Sequence, residues 1–331
     1  MHVGIQNVPT PTPLQPRVWT SLDLIKWTTA YFQKKGIESP RLEAELLLAD
    51  VLECPRIRLY VDFEKPVPPE KLARYRDHVK RRGEMREPVQ YILGYTQFID
   101  LRVKVTPAVL VPRPETEVLA LWAVDRAKER RLPAPGPEGS PAAAPPVGQE
   151  PAIRVVDLCT GSGCLALYIA SKEPHARIVA TDISAAALAV AEENARTLNV
   201  ADRITFRRGD LFAALQPDEQ GTFDLLVANP PYVDPKAAAT LPPEVRDHEP
   251  HEALFTEGGG LSMVRRIIAS AAEWLKPGGW LGVELGLGQA EDVRALAQKG
   301  GVYENIGIGE DGAKLPRFLM ARKASIISHE P

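Results

Sequence analysis

Three shortages narrow what this chain of 331 residues can be. Cysteine is scarce: Cys54, Cys159 and Cys164 show no C-x-x-C spacing and no even number, so a reduced compartment is expected rather than a disulfide framework. Basic residues are not in excess, with 40 Lys and Arg against 43 Asp and Glu, so there is no general attraction to nucleic acid. The sequence also shows no apolar run long enough to span a membrane and no signal-peptide pattern near residue 1. We therefore expect a cytoplasmic protein with no membrane partner and no direct contact with nucleic acid.

Sequence patterns divide the chain into three predicted regions. Residues 17–93 carry apolar residues at helical spacing and capped helix starts, which predict a small N-terminal helical bundle. Residues 94–113 include a stretch of period-2 alternation, which predicts a β-hairpin linker. Residues 114–323 form the third region, which begins with a helix. Within it, residues 133–151 are rich in Pro, Ala and Gly and predict a surface insertion.

The third region alternates between predicted strands and predicted helices. Six apolar runs predict strands at 153–158, 177–182, 203–207, 223–228, 279–285 and 316–323. Helical patterns separate most of these runs. Such alternation predicts an α/β fold in which a doubly wound, mostly parallel sheet is covered by helices.

The most informative stretch is the corner Asn229-Pro230-Pro231-Tyr232, which follows the predicted strand at 223–228. Proline has no N–H to donate to a sheet ladder, so two prolines in succession end the strand at Asn229. In open α/β sheets, ligands bind at this carboxyl edge. The corner offers an amide, two rigid carbonyls and an aromatic ring. These groups suit a planar NH2 group, whose two hydrogens find acceptors while its face lies against the ring.

A second site is predicted at the ends of the first three strands. Glycines in Asp157-Leu158-Cys159-Thr160-Gly161-Ser162-Gly163 let a ligand approach the backbone at a helix N-terminus. Asp182 ends the next strand, where a carboxylate accepts hydrogen bonds from ribose hydroxyls. After the third strand, Asp210 is expected to accept from an adenine amino group and Leu211 to cover the ring. Ordinary turn chemistry explains each of these features taken singly.

The expected ligand of this second site is S-adenosylmethionine rather than NAD. The loop has only Gly161 and Gly163 of the G-x-G-x-x-G pattern that is typical of dinucleotide binding. A hydride transfer also has no evident use for an amine-binding corner. In addition, the turn at 275–281 is similar to the one before the fifth strand of class I methyltransferases.

Taken together, these segments resemble the HemK-type protein-(glutamine-N5) methyltransferases over about residues 20–323. Besides the corner and the glycine loop, the resemblance rests on segments at 39–48, 87–94, 112–117, 181–184 and 249–254. It implies a class I methyltransferase (Rossmann-like) domain with a seven-stranded sheet, preceded by a helical domain that recognises the substrate. It further implies methyl transfer from S-adenosyl-L-methionine to the glutamine side chain of a Gly-Gly-Gln motif in peptide chain release factors, which tunes translation termination. The second product is then S-adenosyl-L-homocysteine, no metal takes part, and a monomer is expected.

The resemblance also assigns roles to individual residues. Catalysis is expected of Asn229, Pro230 and Tyr232, and substrate binding of Asn229, Pro230, Pro231, Tyr232, Arg113 and Glu115. Cofactor binding is expected of Asp157, Cys159, Thr160, Gly161, Ser162, Gly163, Asp182, Asp210, Leu211 and Asn229. In the hypothetical reaction, the Asn229 oxygen and the Pro230 carbonyl each accept one hydrogen of the substrate amide. The nitrogen is thereby held in line with the methyl–sulfonium bond.

The sequence departs from the family pattern at three places. Cys159 stands where the family usually has the first glycine of the loop, which bears on loop geometry and cofactor affinity. The insertion at 133–151 is longer and richer in proline than expected. The segment 310–317 resembles the family's closing segment only loosely.

Other functions stay open at this stage. A sister family methylates a glutamine of a large-subunit ribosomal protein and shares the corner and a cysteine-containing loop, although the intact segment 113–117 favours a release factor. Enzymes that methylate exocyclic amines of nucleic acid bases use the same corner but need a basic groove. A non-catalytic adaptor and a nicotinamide dehydrogenase are further alternatives. A zinc site is not expected, because His248-Glu249-Pro250-His251 lacks the H-E-x-x-H spacing.

Overall fold

The computed structural model describes residues 18–131 and 152–325, so the insertion predicted at 133–151 lies outside the described residues. Two compact units divide the chain, at residues 1–92 and 93–331. The first is helical and the second contains the large sheet. In the described part of the chain, no helix is both long and apolar enough to cross a membrane.

The first unit is a bundle of helices, as the sequence predicts. The helices are α1 (Ser21–Lys34), α2 (Pro40–Leu52), α3 (Arg58–Val61), α4 (Pro69–Gly83) and, at its end, α5 (Val89–Leu93). Thr20 caps α1: its hydroxyl accepts from the Asp23 N–H at 3.2 Å, and the Asp23 carboxylate accepts from the Thr20 N–H at 3.3 Å. Phe32, Leu47 and Tyr75, one from each long helix, are almost fully buried. Burial of each such side chain stabilises the bundle by about 1.5–3 kcal/mol.

The second unit opens with the predicted hairpin. Strands β1 (Tyr95–Phe98) and β2 (Leu101–Lys104) pair antiparallel around a two-residue turn. Ile99, the first residue of the turn, has a positive φ of 55°. The long helix α6 (Pro114–Arg131) follows, with a proline at its first position, where the missing N–H has no helical partner to lose.

A seven-stranded sheet forms the body of this unit. Its strands are β3 (Ile153–Leu158), β4 (Ala176–Asp182), β5 (Ile204–Arg208), β6 (Phe223–Ala228), β7 (Leu275–Glu284), β8 (Tyr303–Glu310) and β9 (Pro316–Lys323). The helices among the strands are α7 (Cys164–Lys172), α8 (Ala185–Thr197), α9 (Pro243–Arg246), α10 (His251–Leu254), α11 (Ser262–Trp274) and α12 (Ala290–Gln298). One apolar cluster joins Val155 to α6 and α7, whereas a second joins Val156 to α11 and α12. Because successive strand residues point to opposite faces, helices cover both sides of the sheet.

The strand order across the sheet is β5-β4-β3-β6-β7-β9-β8. The pairs from β5 to β7 are parallel, and β9 is antiparallel to both of its neighbours. This arrangement confirms the predicted α/β class and the mostly parallel, seven-stranded sheet. Strand β8 is the one that the apolar runs did not predict. It lies at the sheet edge with β9 as its partner, and its sequence contains Gly307, Gly309 and several polar residues.

Helix α6 runs back along β7 at very short range. A Cβ built on Gly282 would lie 2.4 Å from the Trp122 ring, so only glycine permits this approach. Trp122 also meets Trp280 edge to face, with ring centroids 5.9 Å apart. The close packing places Thr116, in the first turn of α6, against Glu284 at the carboxyl end of β7.

Candidate active site

Four neighbouring strands carry polar side chains to one edge of the sheet. In the register of the parallel pairs, Leu158 lies beside Thr181 and Ala228, and Ala228 lies beside Val283. The residues that follow these four are therefore neighbours as well, in the order Asp182, Cys159, Asn229 and Glu284. Side chains that are far apart in the sequence thus meet at the carboxyl edge, where α/β sheets bind ligands.

Asp157 holds the glycine loop from beneath. It is fully buried, and its Oδ2 accepts from the Thr160 hydroxyl at 2.6 Å and from the Ala166 N–H at 3.2 Å. Burial raises the pKa of this carboxyl to about 7. Gly161 and Gly163 have positive φ values of 56° and 86°, which glycine adopts without strain. Asp157 therefore shapes the loop and the start of α7 rather than the surface that a ligand would touch.

Cys159 occupies a loop position with φ of 58°, in the left-handed region that favours glycine. A side chain in this conformation costs about 1–3 kcal/mol of strain, which the surrounding contacts offset. Burial raises the pKa of the thiol, so it stays neutral at physiological pH. The residue thus presents a small neutral group to the cavity that it lines.

Asp182 closes the glycine loop from the neighbouring strand β4. Its Oδ2 accepts from the Gly161 N–H and its Oδ1 from the Ser184 N–H, both at 2.9 Å. Burial raises the pKa of Asp182, and these backbone hydrogen bonds oppose the rise. Each carboxylate oxygen accepts more than one hydrogen bond, so Asp182 can still accept from hydroxyls of a ligand.

Asp210 and Leu211 follow β5 and line the same cavity. The Oδ2 atom of Asp210 accepts from Nη2 of Arg266 at 2.6 Å, and both side chains are about half exposed. Leu211 is buried and has φ of 50°. The carboxylate that is expected to face an adenine amino group is therefore shared with an arginine.

The space between the walls of the cavity measures about 920 Å³ with the open solvent at its mouth included. The loop residues that line it are Cys159, Thr160, Gly161 and Ser162, and part of the segment 108–112 lines it too. Three acids contribute, namely Asp182, Asp210 and Glu252, whereas no lysine or arginine is among the described residues of the lining. Such a wall favours a cationic ligand such as a sulfonium. It offers no cationic side chain to a pyrophosphate.

Asn229 lies between this first cavity and a second one of about 620 Å³. Leu110, Asn229 and Ala253 line both cavities. Arg113 and Tyr232 line the second, together with the apolar side chains Val233, Leu241, Val245 and Leu254. The Asn229 amide therefore stands where an acidic cavity meets a mostly apolar one, so that two reactants can reach it from different sides.

A chain of hydrogen bonds connects the corner to Glu284. Nδ2 of Asn229 donates to Oγ1 of Thr116 at 3.0 Å, and the Thr116 hydroxyl donates to Oε2 of Glu284 at 2.7 Å. The Tyr232 hydroxyl donates to the other carboxylate oxygen at 3.3 Å. Burial raises the pKa of Glu284 to about 7 and also raises that of Tyr232. One buried carboxyl thus contacts, directly or through Thr116, both functional side chains of the corner.

The two charged residues predicted at the substrate mouth have different partners. Nη2 of Arg113 donates to Oε1 of the buried Glu249 at 2.7 Å, which fixes the guanidinium beside the second cavity. Glu115 lies 3.2 Å from Nη2 of Arg317, and Arg317 also donates to Asp311 at 2.6 Å. Glu115 therefore ties the start of α6 to the closing segment of the chain.

The structure brings most of the predicted site residues to the two cavities. Cys159, Thr160, Gly161, Ser162, Asp182, Asp210, Leu211, Asn229 and Pro231 line the first, and Arg113, Asn229 and Tyr232 line the second. Asp157 lies under the loop, Glu115 pairs with Arg317, and Pro230 is buried between its two functional neighbours. Gly163 precedes α7, where an added Cβ would lie 3.1 Å from Ala191, so it serves close packing.

Sequence reasoning missed Thr116 and Glu284 as parts of the site. Thr116 lies within the segment 112–117 that resembles the family, but no pattern in the sequence indicates a role for its hydroxyl. Glu284 does leave a signal, because an acid ends the apolar run Leu281-Gly282-Val283. Acidic side chains are almost never fully buried unless they have a partner, so an acid in a buried run indicates a polar partner or ligand nearby.

Two family models match the chain. The PrmC N-terminal domain matches residues 23–94, and the methyltransferase small domain matches residues 139–245. Among solved structures, the hMettl16 catalytic domain in complex with MAT2A 3'UTR hairpin 6 superposes with a TM-score of 0.50 and 17% sequence identity. That likeness covers 78% of this chain and 83% of the other. At this identity it shows the fold alone.

Curated relatives are similar along nearly the whole chain. A release factor glutamine methyltransferase of Rhodopirellula baltica is 39% identical, over 92% of this chain and 97% of its own length. The protein of the same name from Geobacter sulfurreducens is 42% identical, over 87% of this chain and 91% of its own. That of Chlorobaculum tepidum is 38% identical, over 92% and 98% respectively.

Proposed function

This chain belongs to the family of release factor glutamine methyltransferases, and we propose that it methylates the side-chain amide nitrogen of a glutamine in a peptide chain release factor. The methyl donor is S-adenosylmethionine, bound in the acidic first cavity. The glutamine side chain enters the apolar second cavity. The observation that carries the proposal is the position of Asn229, which lines both cavities and so meets both reactants.

The first cavity fits S-adenosylmethionine by charge and by shape. Its three acids suit a ligand with a sulfonium and an ammonium group. Asp182, fixed by two backbone N–H groups, is placed to accept from the ribose hydroxyls. An added Cβ on Gly161 would meet nothing within 4 Å, so the loop leaves room for a ligand beside the backbone. When bound, the cofactor supplies an electrophilic methyl group on sulfur.

The corner offers hydrogen-bond acceptors that can orient and activate the glutamine nitrogen. This nitrogen is a weak nucleophile because its lone pair is delocalised into the carbonyl. We propose that Oδ1 of Asn229 and the carbonyl of Pro230 each accept one of its hydrogens. The two acceptors orient the nitrogen toward the methyl group and stabilise the positive charge that grows on it. Orientation of this kind recovers about 7–11 kcal/mol of a barrier in favourable cases.

Tyr232 has a supporting role in this proposal. Its hydroxyl is held by Glu284, so its ring has a fixed position in the wall of the second cavity. The ring is placed to pack against the methylene groups of the glutamine. A cation near its face gains about 0.5–2 kcal/mol, which adds to the stabilisation of the charged transition state.

The helical unit is proposed to recognise the release factor itself, since a glutamine alone is far smaller than the substrate. Residues 23–94 match the PrmC N-terminal domain, which supports a role that belongs to this family. Ile57 and Val61, on and next to α3, are 67% and 62% exposed. We propose that these two exposed apolar side chains belong to the surface that contacts the release factor.

Incubation of the purified protein with S-adenosylmethionine and a release factor tests the function. Mass spectrometry should find one added methyl group on a single glutamine. In Asn229→Ala, turnover should fall by at least about a hundredfold, as for the loss of one oriented oxyanion-hole donor, while calorimetry still detects cofactor binding. Methylation of a ribosomal protein or of nucleic acid, with none on the release factor, would identify one of the alternative enzymes instead.

A further inference from the structure

The hydrogen bonds around Glu284 have one consistent direction of donation. An ionised carboxylate only accepts, so the single proton of the Thr116 hydroxyl is directed to Oε2 of Glu284. Thr116 then has only lone pairs to offer to Asn229. The atom of Asn229 that lies 3.0 Å from Thr116 must therefore be the donor Nδ2. As a result, the amide oxygen of Asn229 is the atom left for a ligand.

We propose that Thr116 and Glu284 are positioning residues that lock the side-chain amide of Asn229 with its oxygen toward the substrate nitrogen. This inference rests on the function proposed above. A side-chain amide turned by 180° has nearly the same shape, so packing alone does not choose between its two orientations. In the wrong orientation, an NH2 group faces the NH2 group of the substrate, and an acceptor is lost. Only a neighbour of fixed polarity removes this ambiguity, and Thr116 is that neighbour.

The burial of Glu284 is consistent with this role and hard to explain otherwise. Glu284 is 1% exposed, and Thr116 is fully buried. Among residues 18–131 and 152–325, the hydrogen-bond partners of the Glu284 carboxyl are two neutral hydroxyls, those of Thr116 and Tyr232, rather than a cation. A buried carboxylate without an ion pair destabilises the fold, and an apolar residue would pack there at less cost. Its benefit must therefore lie in the orientation that it imposes.

Protonation of Glu284 should weaken the lock. A protonated carboxyl can itself donate to Thr116, whose proton is then free to turn toward the oxygen of Asn229 and stabilise the wrong orientation. Burial, aided by the Glu115 carboxylate on α6, raises the pKa of Glu284 to about 7, although the hydrogen bonds from Thr116 and Tyr232 and the charge of Arg317 on β9 oppose the rise. Tyr232 and the Cys164 thiol on α7 also face it, and both stay neutral in this range. The rate of methyl transfer should thus rise with pH as Glu284 ionises.

Two substitutions at Thr116 separate the hydroxyl from the shape of the side chain. Thr116→Val keeps the shape and removes the hydroxyl, and it should lower kcat by about tenfold, the equivalent of one hydrogen bond. Thr116→Ser keeps the hydroxyl and should stay within about threefold of the wild type. Thr116 also lines the first cavity, so the Kd for S-adenosylmethionine is measured for both variants, and circular dichroism checks that both are folded. Equal kcat values for the two variants would overturn the proposal.

A double-mutant cycle shows whether Thr116 acts through Asn229. In the Asn229→Ala background there is no amide to orient, so Thr116→Val should have no further effect on methyl transfer. A full additional loss would mean that Thr116 acts by another route and would overturn the proposal. If the wild type itself transfers no methyl group to a release factor, the proposed function fails rather than this inference.

The pH profile tests the part of Glu284. In the wild type, kcat should increase across pH 6–8, whereas in Glu284→Gln this increase should be clearly smaller, because glutamine does not titrate and only other groups such as Asp157, whose pKa burial raises to about 7, still do. A matched change at an exposed acid, Glu310→Gln, should leave the wild-type profile intact. A flat wild-type profile, or an unchanged slope in Glu284→Gln, would overturn the role of this carboxyl.

Discussion

Replacing Glu284 by glutamine should change how the stability of the protein depends on pH. Burial raises the pKa of this carboxyl to about 7 in the folded protein. In the unfolded chain it returns to about 4.3. Between these two values the folded protein keeps a proton that the unfolded chain has lost. Raising the pH therefore favours unfolding of the wild type through this group, and a glutamine at the same position has no such effect.

The size of the effect follows from the difference in pKa. Each unit corresponds to about 1.4 kcal/mol, so a rise from about 4.3 to about 7 amounts to roughly 3–4 kcal/mol. We expect the free energy of unfolding of Glu284→Gln, relative to the wild type, to increase by most of this amount, about 3 kcal/mol, between pH 4.5 and pH 7.5. Above about pH 8 the difference should be constant, because the carboxyl of the wild type is then ionised in both states.

Equilibrium unfolding in urea, followed by circular dichroism at closely spaced pH values, measures this difference. Other carboxyls also titrate across the range, so only the difference between variant and wild type is informative. Glu310→Gln serves as the control, since Glu310 is exposed and its replacement should leave the difference close to zero at every pH. Parallel curves for Glu284→Gln and the wild type would refute the reasoning. If the variant instead lost stability relative to the wild type as the pH rises, the predicted effect would have the wrong sign.

Three further substitutions test the packing, the cofactor site and the helical unit. Gly282→Ala puts a Cβ 2.4 Å from the Trp122 ring, so thermal denaturation should show a free energy of unfolding that is lower by about 1–3 kcal/mol. Methyl transfer should also fall, because α6 carries Thr116 with it when it moves. An unchanged melting temperature would contradict the close approach. Asp182→Ala removes the expected acceptor for the ribose, so calorimetry should show a cofactor Kd at least about tenfold higher, and an unaltered Kd would exclude that contact. Ile57→Ser combined with Val61→Ser should raise KM for a whole release factor without changing cofactor affinity, and steady-state kinetics with an unchanged KM would argue against that docking surface.

The central strands of the sheet in the second unit could be predicted from the sequence because they are buried on both faces. Runs such as 153–158 and 223–228 are mostly apolar, and the structure has almost wholly buried strands at these positions. The end of the strand at Asn229 could be predicted equally well, since two consecutive prolines cannot continue a sheet ladder. Strand β8 was not predictable in the same way. It lies at an edge, is only partly buried, and reads as polar with interspersed glycines.

The hydrogen-bond chain at the site could not be predicted from local patterns, for a physical reason. Thr116 and Glu284 are far apart in the sequence, and their contact depends on how closely α6 packs against β7. That distance is set by Gly282 and Trp122, whose pairing no periodicity reveals. The sequence does show an acid at the end of a buried strand. It does not show which hydroxyl will meet that acid.

The two prolines of the corner have a consequence for the selection of the amino acid that is modified. Neither Pro230 nor Pro231 has an N–H, so their backbone presents acceptors and no donor at this point. A glutamate, or a glutamine that has lost its nitrogen by deamidation, would direct lone pairs at these carbonyls and be repelled. The enzyme should thus bind such a damaged release factor poorly in its pocket. Damaged release factors, which cannot be methylated, would then not compete with intact ones for the enzyme and would not act as inhibitors.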